Sequence, residues 1–229
     1  MQTVLTPEHK TGIFIQELKN RFLCEVEIDG ESTVCYVPSS CHLSNFLDLK
    51  GKSVLLTPTQ SKNARTQFAL FAIPYKKNYI LLNTSMANRA VAGSIKGRRF
   101  SFLGRRGTIY TEHYVGGYKS DIYIQDTNTI IEVKSVLSTE KCALFPTVFS
   151  ERALKQLEKL RDLLSLGYRV HYSVISLNPY VSSIYFVSDA QFTPLLKSCI
   201  DLGMTISAFS CRIDDNRVYI DKRLQIILP

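Results

Sequence analysis

No stretch of the 229-residue chain approaches the roughly 20 consecutive apolar residues that a membrane-crossing helix needs, although 45% of its residues are apolar. The opening MQTVLTPEHKTG lacks the basic-then-apolar layout of a secretory leader, so a cytoplasmic protein is the expectation. No CxxC pair occurs. The six cysteines, at 24, 35, 41, 142, 199 and 211, are scattered, with no histidine at zinc-finger spacing. Cys41-His42 has nothing nearby to complete a metal site, which favours buried reduced thiols acting as small hydrophobes. A Walker loop, a GxGxxG and a GxSxG are all missing, which excludes those particular chemistries and no others. Low-complexity tracts, repeats and Ser/Gly/Pro-rich linkers are absent too, so the length suits one large domain or two modest ones. Acids are also in short supply. Asp and Glu number 20 against 28 Lys and Arg, leaving a formal charge of +8. Such an excess suits a polyanionic partner, since each cation set on a phosphate releases a counterion; the alternative is a merely solubilising surface.

What is present falls into two halves. RFLCEVEI alternates Phe22, Cys24, Val26 and Ile28 toward one face, turns at Asp29-Gly30, and STVCYV alternates back, which predicts a hairpin. VPSSCHLSNFLD reads as a loop with a short turn, and KSVLLTPT, QFALFAIPY and NYILLNT supply three more strands. Four or five short antiparallel strands suit a small barrel of the oligonucleotide-binding (OB) type over residues 1–82. From Asn83 the period changes. SMANRAVAGSI predicts a helix capped by Thr84 or Ser85, and ERALKQLEKLRDLLSLG predicts a long helix with Leu154, Leu157, Leu160, Leu163 and Leu164 on one face and Gly167 as its stop. YRVHYSVISL and SSIYFV read as strands, DAQFTPLLKSCIDLG as a helix, and TISAFSCRI and VYIDKRLQIIL as closing strands. Residues 83–229 are therefore expected to form an α/β unit, and the chain as a whole an α+β assembly.

One segment raises a chemical question. In DIYIQDTNTIIEVKS (121–135), a hairpin turning at Asp126-Thr127-Asn128 sets Asp121 opposite Glu132, while Glu132 and Lys134 share a face by the two-residue period. Two carboxylates are the hard oxygen ligands that Mg2+ takes, with phosphate oxygens and water completing the shell. A lysine beside such an ion can hold the attacking water or offset charge in the transition state. Glu and Lys also often alternate on the wet face of an ordinary hairpin, where they make slight ion pairs, and spacing alone favours that plainer reading. Upstream, KGRRFSFLGRRG (96–107) sets Lys96, Arg98, Arg99, Arg105 and Arg106 around Phe100 and Phe102. This suits buried rings with phosphate-facing arginines, or a strand whose arginines are only solvated. In the barrel half, Lys62, Arg65, Lys76 and Lys77 sit in loops with Tyr75 and Tyr79 and offer a weaker candidate surface for nucleic acid.

The order Asp121-(x10)-Glu132-x-Lys134, between a preceding and a following helix, resembles the core of the PD-(D/E)XK nuclease superfamily. RFL at 21–23, NTxxANR at 83–89, Glu112, SDI at 120–122, IEVKSV at 131–136, FPTVFSERALKQL at 145–157 and the ending from Gly203 to Pro229 together resemble the sugar fermentation stimulation protein A (SfsA) family, in collinear order over nearly the whole chain. The resemblance implies an OB-like barrel followed by a PD-(D/E)XK nuclease-like domain with a mixed sheet flanked by helices. It also implies DNA binding and nuclease activity with Mg2+ or Mn2+, with RNA as a second polyanion; the alternative is a regulatory DNA-binding protein that keeps the fold without cutting. It assigns Asp121 and Glu132 as metal carboxylates, with Val133 also at the metal, and Lys134 as the catalytic lysine. Glu112 is implied as a further ligand or water contact, or else a solvated loop acid. Arg152 is implied as a group facing the site, or else a helix-surface arginine. The chain departs from the family at Ala153, where a glycine is usual, and at Gln156, where a histidine is usual; Gln156 can still hydrogen-bond a phosphate or water. Met86 replaces an aromatic, and Pro38-Ser39-Ser40-Cys41 replaces an Asn-Thr-Gly loop.

Overall fold

In the computed structural model of the chain, residues 9–39, 42–59, 63–148, 150–215 and 217–229 are described, together with the backbone of residues 4–5. After the two-residue strand β1 (Val4–Leu5), the period-two runs form β2 (Lys10–Glu17), β3 (Leu23–Ile28), β4 (Glu31–Tyr36), β5 (Ser53–Pro58) and β6 (Phe68–Tyr75). Their order is β4-β3-β2-β5-β6, and a parallel pairing of Tyr36 with Ala69 joins the first to the last, closing a five-stranded OB barrel. The β3–β4 hairpin turns at Asp29 and Gly30, both at positive φ (54° and 84°). Cys24, Val26 and Ile28 fill the barrel as expected; Phe22 lies one residue ahead of the strand and is 38% exposed, stacked on Tyr36 instead. The strand β7 (Asn78–Leu81) prolongs the sheet past the barrel, and its Leu81 N–H donates to the Leu177 carbonyl of the second half.

The second half opens with α1 (Thr84–Ser94), capped by Asn83, whose side chain accepts the Ser85 N–H. The expected caps, Thr84 and Ser85, lie inside the helix. A 3-10 segment, Arg98–Leu103, stands where a strand was expected: Phe100 is buried and Phe102 is exposed. There follow β8 (Ile109–Val115), β9 (Tyr118–Ile124), β10 (Thr129–Val136), β11 (Cys142–Phe145), α2 (Glu151–Ser165), β12 (Arg169–Ser176), β13 (Ser183–Phe186), α3 (Phe192–Asp201), β14 (Thr205–Asp214), β15 (Arg217–Arg223) and β16 (Gln225–Ile227). Two of these, β8 and β11, are not visible in the sequence pattern. The first has no fully buried position to create an apolar period, and the second is only four residues long. The run VYIDKRLQIIL, expected as one strand, breaks at Leu224 into β15 and β16, which serve different sheets.

The main sheet is mixed and seven-stranded, in the order β1-β15-β14-β12-β10-β9-β8. Its centre, β14-β12-β10, is parallel, while β9, β8, β15 and β1 run antiparallel to their neighbours. Through β1 the start of the chain joins this sheet, not the barrel that follows it in sequence. One face buries Ile122, Ile124, Ile131 and Val133 against Met86, Ala87, Ala90 and Val91 of α1. The opposite face sets Ile130, Val136 and Val174 against Leu157, Leu160 and Leu163 of α2 and Leu196 of α3. Gly116, at φ 54° in the β8–β9 turn, lies so close to α2 that a Cβ there would come within 2.4 Å of Leu163. The five described cysteines are free thiols, four of them buried and Cys142 exposed; Cys41 lies outside the described residues. No helix among the described residues is long and apolar enough to cross a membrane.

His171 of β12 is buried beneath Phe102, with its ring nitrogens 2.8 Å from Thr205 Oγ1 and 2.7 Å from Ser207 Oγ. Burial, then the charges of Arg223 and Arg169, push its pKa down to about 3 from 6.5. Between those values the unfolded chain holds a proton that the folded chain refuses. Acidification through this window therefore removes stability, by about 1.4 kcal/mol per pH unit for one such group. Urea denaturation at pH 7.5 and pH 5 is expected to show a smaller loss for His171→Gln than for the native chain.

Candidate active site

The β9–β10 hairpin turns through a 3-10 segment, Gln125–Thr127, and Asn128 in the left-handed region (φ 49°). The register sets Ile131 against Ile122. The next residues along, Glu132 and Asp121, therefore fall beside each other, as the hairpin spacing predicted. Asp121 Oδ2 accepts the Val133 N–H at 2.8 Å, and Asp121 Oδ1 accepts from Asn88 Nδ2 of α1 at 3.1 Å. In an extended strand the N–H and C=O of one residue project to the same side, so the Val133 carbonyl lies on the Asp121 side of β10.

Glu132 shares the α2 side of the sheet with Ile130 and Val136. At 2% exposure it is the only acid in the buried class among the described residues. Both its oxygens are engaged. Lys134 Nζ lies 2.6 Å from Oε1, and the Tyr118 hydroxyl donates to Oε2. The same Lys134 nitrogen donates to Gln156 Oε1 of α2 at 2.6 Å. The helix brings Gln156 there because Ser150 caps it, accepting the Ala153 N–H, and because Leu157, Leu160 and Leu163 seat it on the sheet. Burial, and then the neighbouring charge of Glu132, push Asp121 up to about 6 from 3.8; the Val133 N–H and Lys134 pull the other way.

These groups open onto a cleft of ≈490 Å³ that Arg152 and Gln156 line on the α2 side and Ser85 and Leu43 on the α1 and barrel side. Asp121, Glu132, Val133, Lys134, Arg152 and Gln156 thus come together. Glu112 does not join them. It sits within β8 rather than in a loop, between Thr111 and His113, which pair with Ile122 and Ser120; that register puts it across from Asp121. Its backbone, however, is at φ 50°, and its carboxylate turns out to Lys119 at 2.8 Å, the ammonium of which holds its pKa down. Among the described residues no three His, Cys, Asp or Glu side chains group as a metal site. The oxygens that could hold an ion there are the Asp121 and Glu132 carboxylates and the Val133 carbonyl.

The basic stretch lies outside the lining of the cleft. Lys96, Arg98, Arg99, Arg105 and Arg106 line none of it; Arg105 lies 3.4 Å from Asp126 at the hairpin turn, and the Arg106 guanidinium donates to the Phe100 carbonyl. Lys62 lies outside the described residues, as do Ser40 and Cys41. Arg65 is exposed on the barrel. Lys76, exposed like Lys77, packs over the rings of Tyr75 and Tyr180 at 5.2 and 5.0 Å, so that cluster also bridges the two halves. Two residues of the site carry no pattern of their own in the sequence. Asn88 stands inside NTSMANR without a periodic role. Tyr118 follows the Gly116-Gly117 pair, a hairpin signal between TIYTEHYV and YKSDIYI that would have revealed β8.

Comparison with known proteins agrees with this architecture. The family model described as the sugar fermentation stimulation protein RE domain matches residues 85–217, and that of the SfsA N-terminal OB domain matches 18–82. A sugar fermentation stimulation protein homolog of Caldanaerobacter subterraneus subsp. tengcongensis is 33% identical over 226 residues, covering 95% of this chain and 96% of its own. One from Natranaerobius thermophilus is 28% identical, covering 92% and 91%. Among solved structures, Pyrococcus furiosus SfsA in complex with Ca2+ superposes with a TM-score of 0.85 over 99% of each chain at 21% identity, which shows a shared fold. Matched across both halves, the chain belongs to the sugar fermentation stimulation protein A family.

Proposed function

We propose that this chain is a divalent-metal-dependent nuclease that hydrolyses phosphodiester bonds of DNA, with RNA as a second substrate, at the Asp121–Glu132–Lys134 site. The observation that carries the reading is a buried carboxylate tied to a lysine, beside a second carboxylate, at the wall of an open cleft. The donors suit Mg2+ or Mn2+: the Asp121 and Glu132 carboxylates with the Val133 carbonyl, all hard oxygens, leaving the rest of the shell to water and phosphate. Asp121 is pushed toward protonation by burial and by Glu132, the behaviour of like charges held together where a cation would offset them. The Ca2+ complex of the P. furiosus relative adds support for a divalent site. When bound, the ion polarises the scissile phosphate and acidifies its water.

The chain's own groups do the remaining work. An ammonium has three donors. Glu132 and Gln156 take two from Lys134, and the third is available to the attacking water or a phosphate oxygen. Arg152 adds a two-pronged donor for the phosphate. Hydrolysis uses one water: its oxygen bonds to phosphorus as the bond to the leaving sugar oxygen breaks, and a proton ends on that oxygen. Gln156 can orient Lys134 but cannot move a proton at neutral pH.

Labelled single- and double-stranded DNA and RNA, incubated with Mg2+ or Mn2+, test this directly. Cleavage that disappears in EDTA is expected. If every substrate stays intact with native protein and with Glu132→Gln alike, the nuclease reading fails. Tyr118→Phe frees Glu132 Oε2 without touching the cleft wall, and is expected to weaken Mn2+ binding about 10–100-fold by calorimetry.

A further inference from the structure

We propose that the strand this protein handles is unpaired, and that it is held by a second cavity between the barrel and α1; the inference rests on the reading of the cleft as a nucleic-acid site. That cavity, of ≈660 Å³, is walled on the barrel side by Leu23, Val34 and Tyr36 and on the helix side by Met86 and Arg89, with Arg65 at its rim. Its only charged lining groups among the described residues are the two arginines. The Tyr36 ring is 40% exposed and lies 6.5 Å from Phe22 in a stacked pair, and the Arg21 guanidinium sits 4.9 Å over Phe22. An exposed tyrosine in a cavity lined by two arginines and, among the described residues, no carboxylate matches one chemistry well: a flat base against the ring and its phosphate against the arginine.

The cavity is also joined to the cleft. Ser85 lines both, so the first turn of α1 is the shared wall. From the same helix Asn88 holds Asp121 while its neighbour Arg89 faces the barrel cavity. A strand seated on Tyr36 therefore needs to pass only about one helix diameter, ~10–12 Å, to bring a phosphate to Asp121 and Lys134. A duplex keeps its base faces stacked on one another and has none to offer Tyr36. The joined cavities thus select a single strand, a frayed end or an overhang, with little preference for sequence because every base has a π face.

Fluorescence anisotropy in EDTA, where no cutting occurs, tests this with the full chain, a labelled oligo-dT of about 20 nucleotides and a blunt duplex of equal length, which exceed the ~4–16-nucleotide site of one OB fold. The single strand is expected to bind at least ~10-fold more tightly than the duplex. Tyr36→Ala is expected to weaken single-strand binding by about 5–100-fold, the range of one lost base stack. Arg65→Glu is expected to weaken it and make its salt dependence shallower. Both side chains are exposed, so unchanged melting temperatures will show that the fold survives. Equal or tighter duplex binding, or single-strand binding indifferent to both variants, overturns the proposal. The two readings fail separately. Single-strand binding without cleavage in Mn2+ sinks the nuclease and leaves this inference standing; cleavage of duplex alone does the reverse.

Discussion

Replacing Lys134 with alanine is expected to lower cleavage in Mn2+ by about 10²–10³-fold, the usual cost of removing one charge-stabilising donor from an active site. The same change should destabilise the metal-free protein, because Glu132 is left 2% exposed with its Tyr118 hydrogen bond but no counter-charge. Breaking a buried pair from one side costs about 3–5 kcal/mol. The two effects respond differently to metal. A divalent cation can replace the lost charge beside Glu132 and recover much of the stability, but it cannot restore the donor that Lys134 presents to water or phosphate. Urea denaturation with and without Mn2+, run beside a cleavage assay, reads both. Undiminished cleavage by the variant would remove Lys134 from the chemistry.

Asp121→Asn is expected to behave in the opposite sense. Without metal it should be more stable than the native protein, by roughly 1–3 kcal/mol, because it removes a partly buried charge from beside Glu132. The asparagine oxygen can still accept the Val133 N–H, and the Asn88 amide can rotate to serve the new side chain. Cleavage should fall to background, and the protection by metal should go with it. For the native chain, metal at 100 times its Kd adds about 2.7 kcal/mol; a thermal melt of the variant should not move on adding Mn2+. A variant that loses stability and still gains from Mn2+ would mean that Asp121 supports the fold and not the ion.

The hairpin that carries the site could be read from the chain because its logic is local. Ten residues between Asp121 and Glu132 fit a short turn, and the two-residue period forces Glu132 and Lys134 onto one face whatever surrounds them. The leucine repeat of α2 was legible for the same reason. Where no apolar period exists, legibility ended: β8 has no buried position, and its Gly116-Gly117 turn was the one mark of it. The 96–107 segment shows a different limit. Its basic and aromatic composition suits a phosphate surface, but the 3-10 turn carries it to the hairpin end of the sheet, outside the lining of the cleft.

What the chain determined by itself was the pair on β10, the acid across from it, and the barrel-then-sheet order, all consequences of backbone periodicity and of turn chemistry between neighbouring strands. Tertiary structure decided the rest. Packing of α2 brought Gln156 to Lys134 and Arg152 to the wall of the cleft, and packing of α1 brought Asn88 to Asp121. The β8–β9 turn placed Tyr118 beneath Glu132, and a left-handed backbone at Glu112 turned that acid away. The cavity on Tyr36 exists only because α1, from the second half, closes over the barrel. Such meetings depend on how layers stack, and stacking is set by side-chain volumes summed over many distant residues, which no local period records.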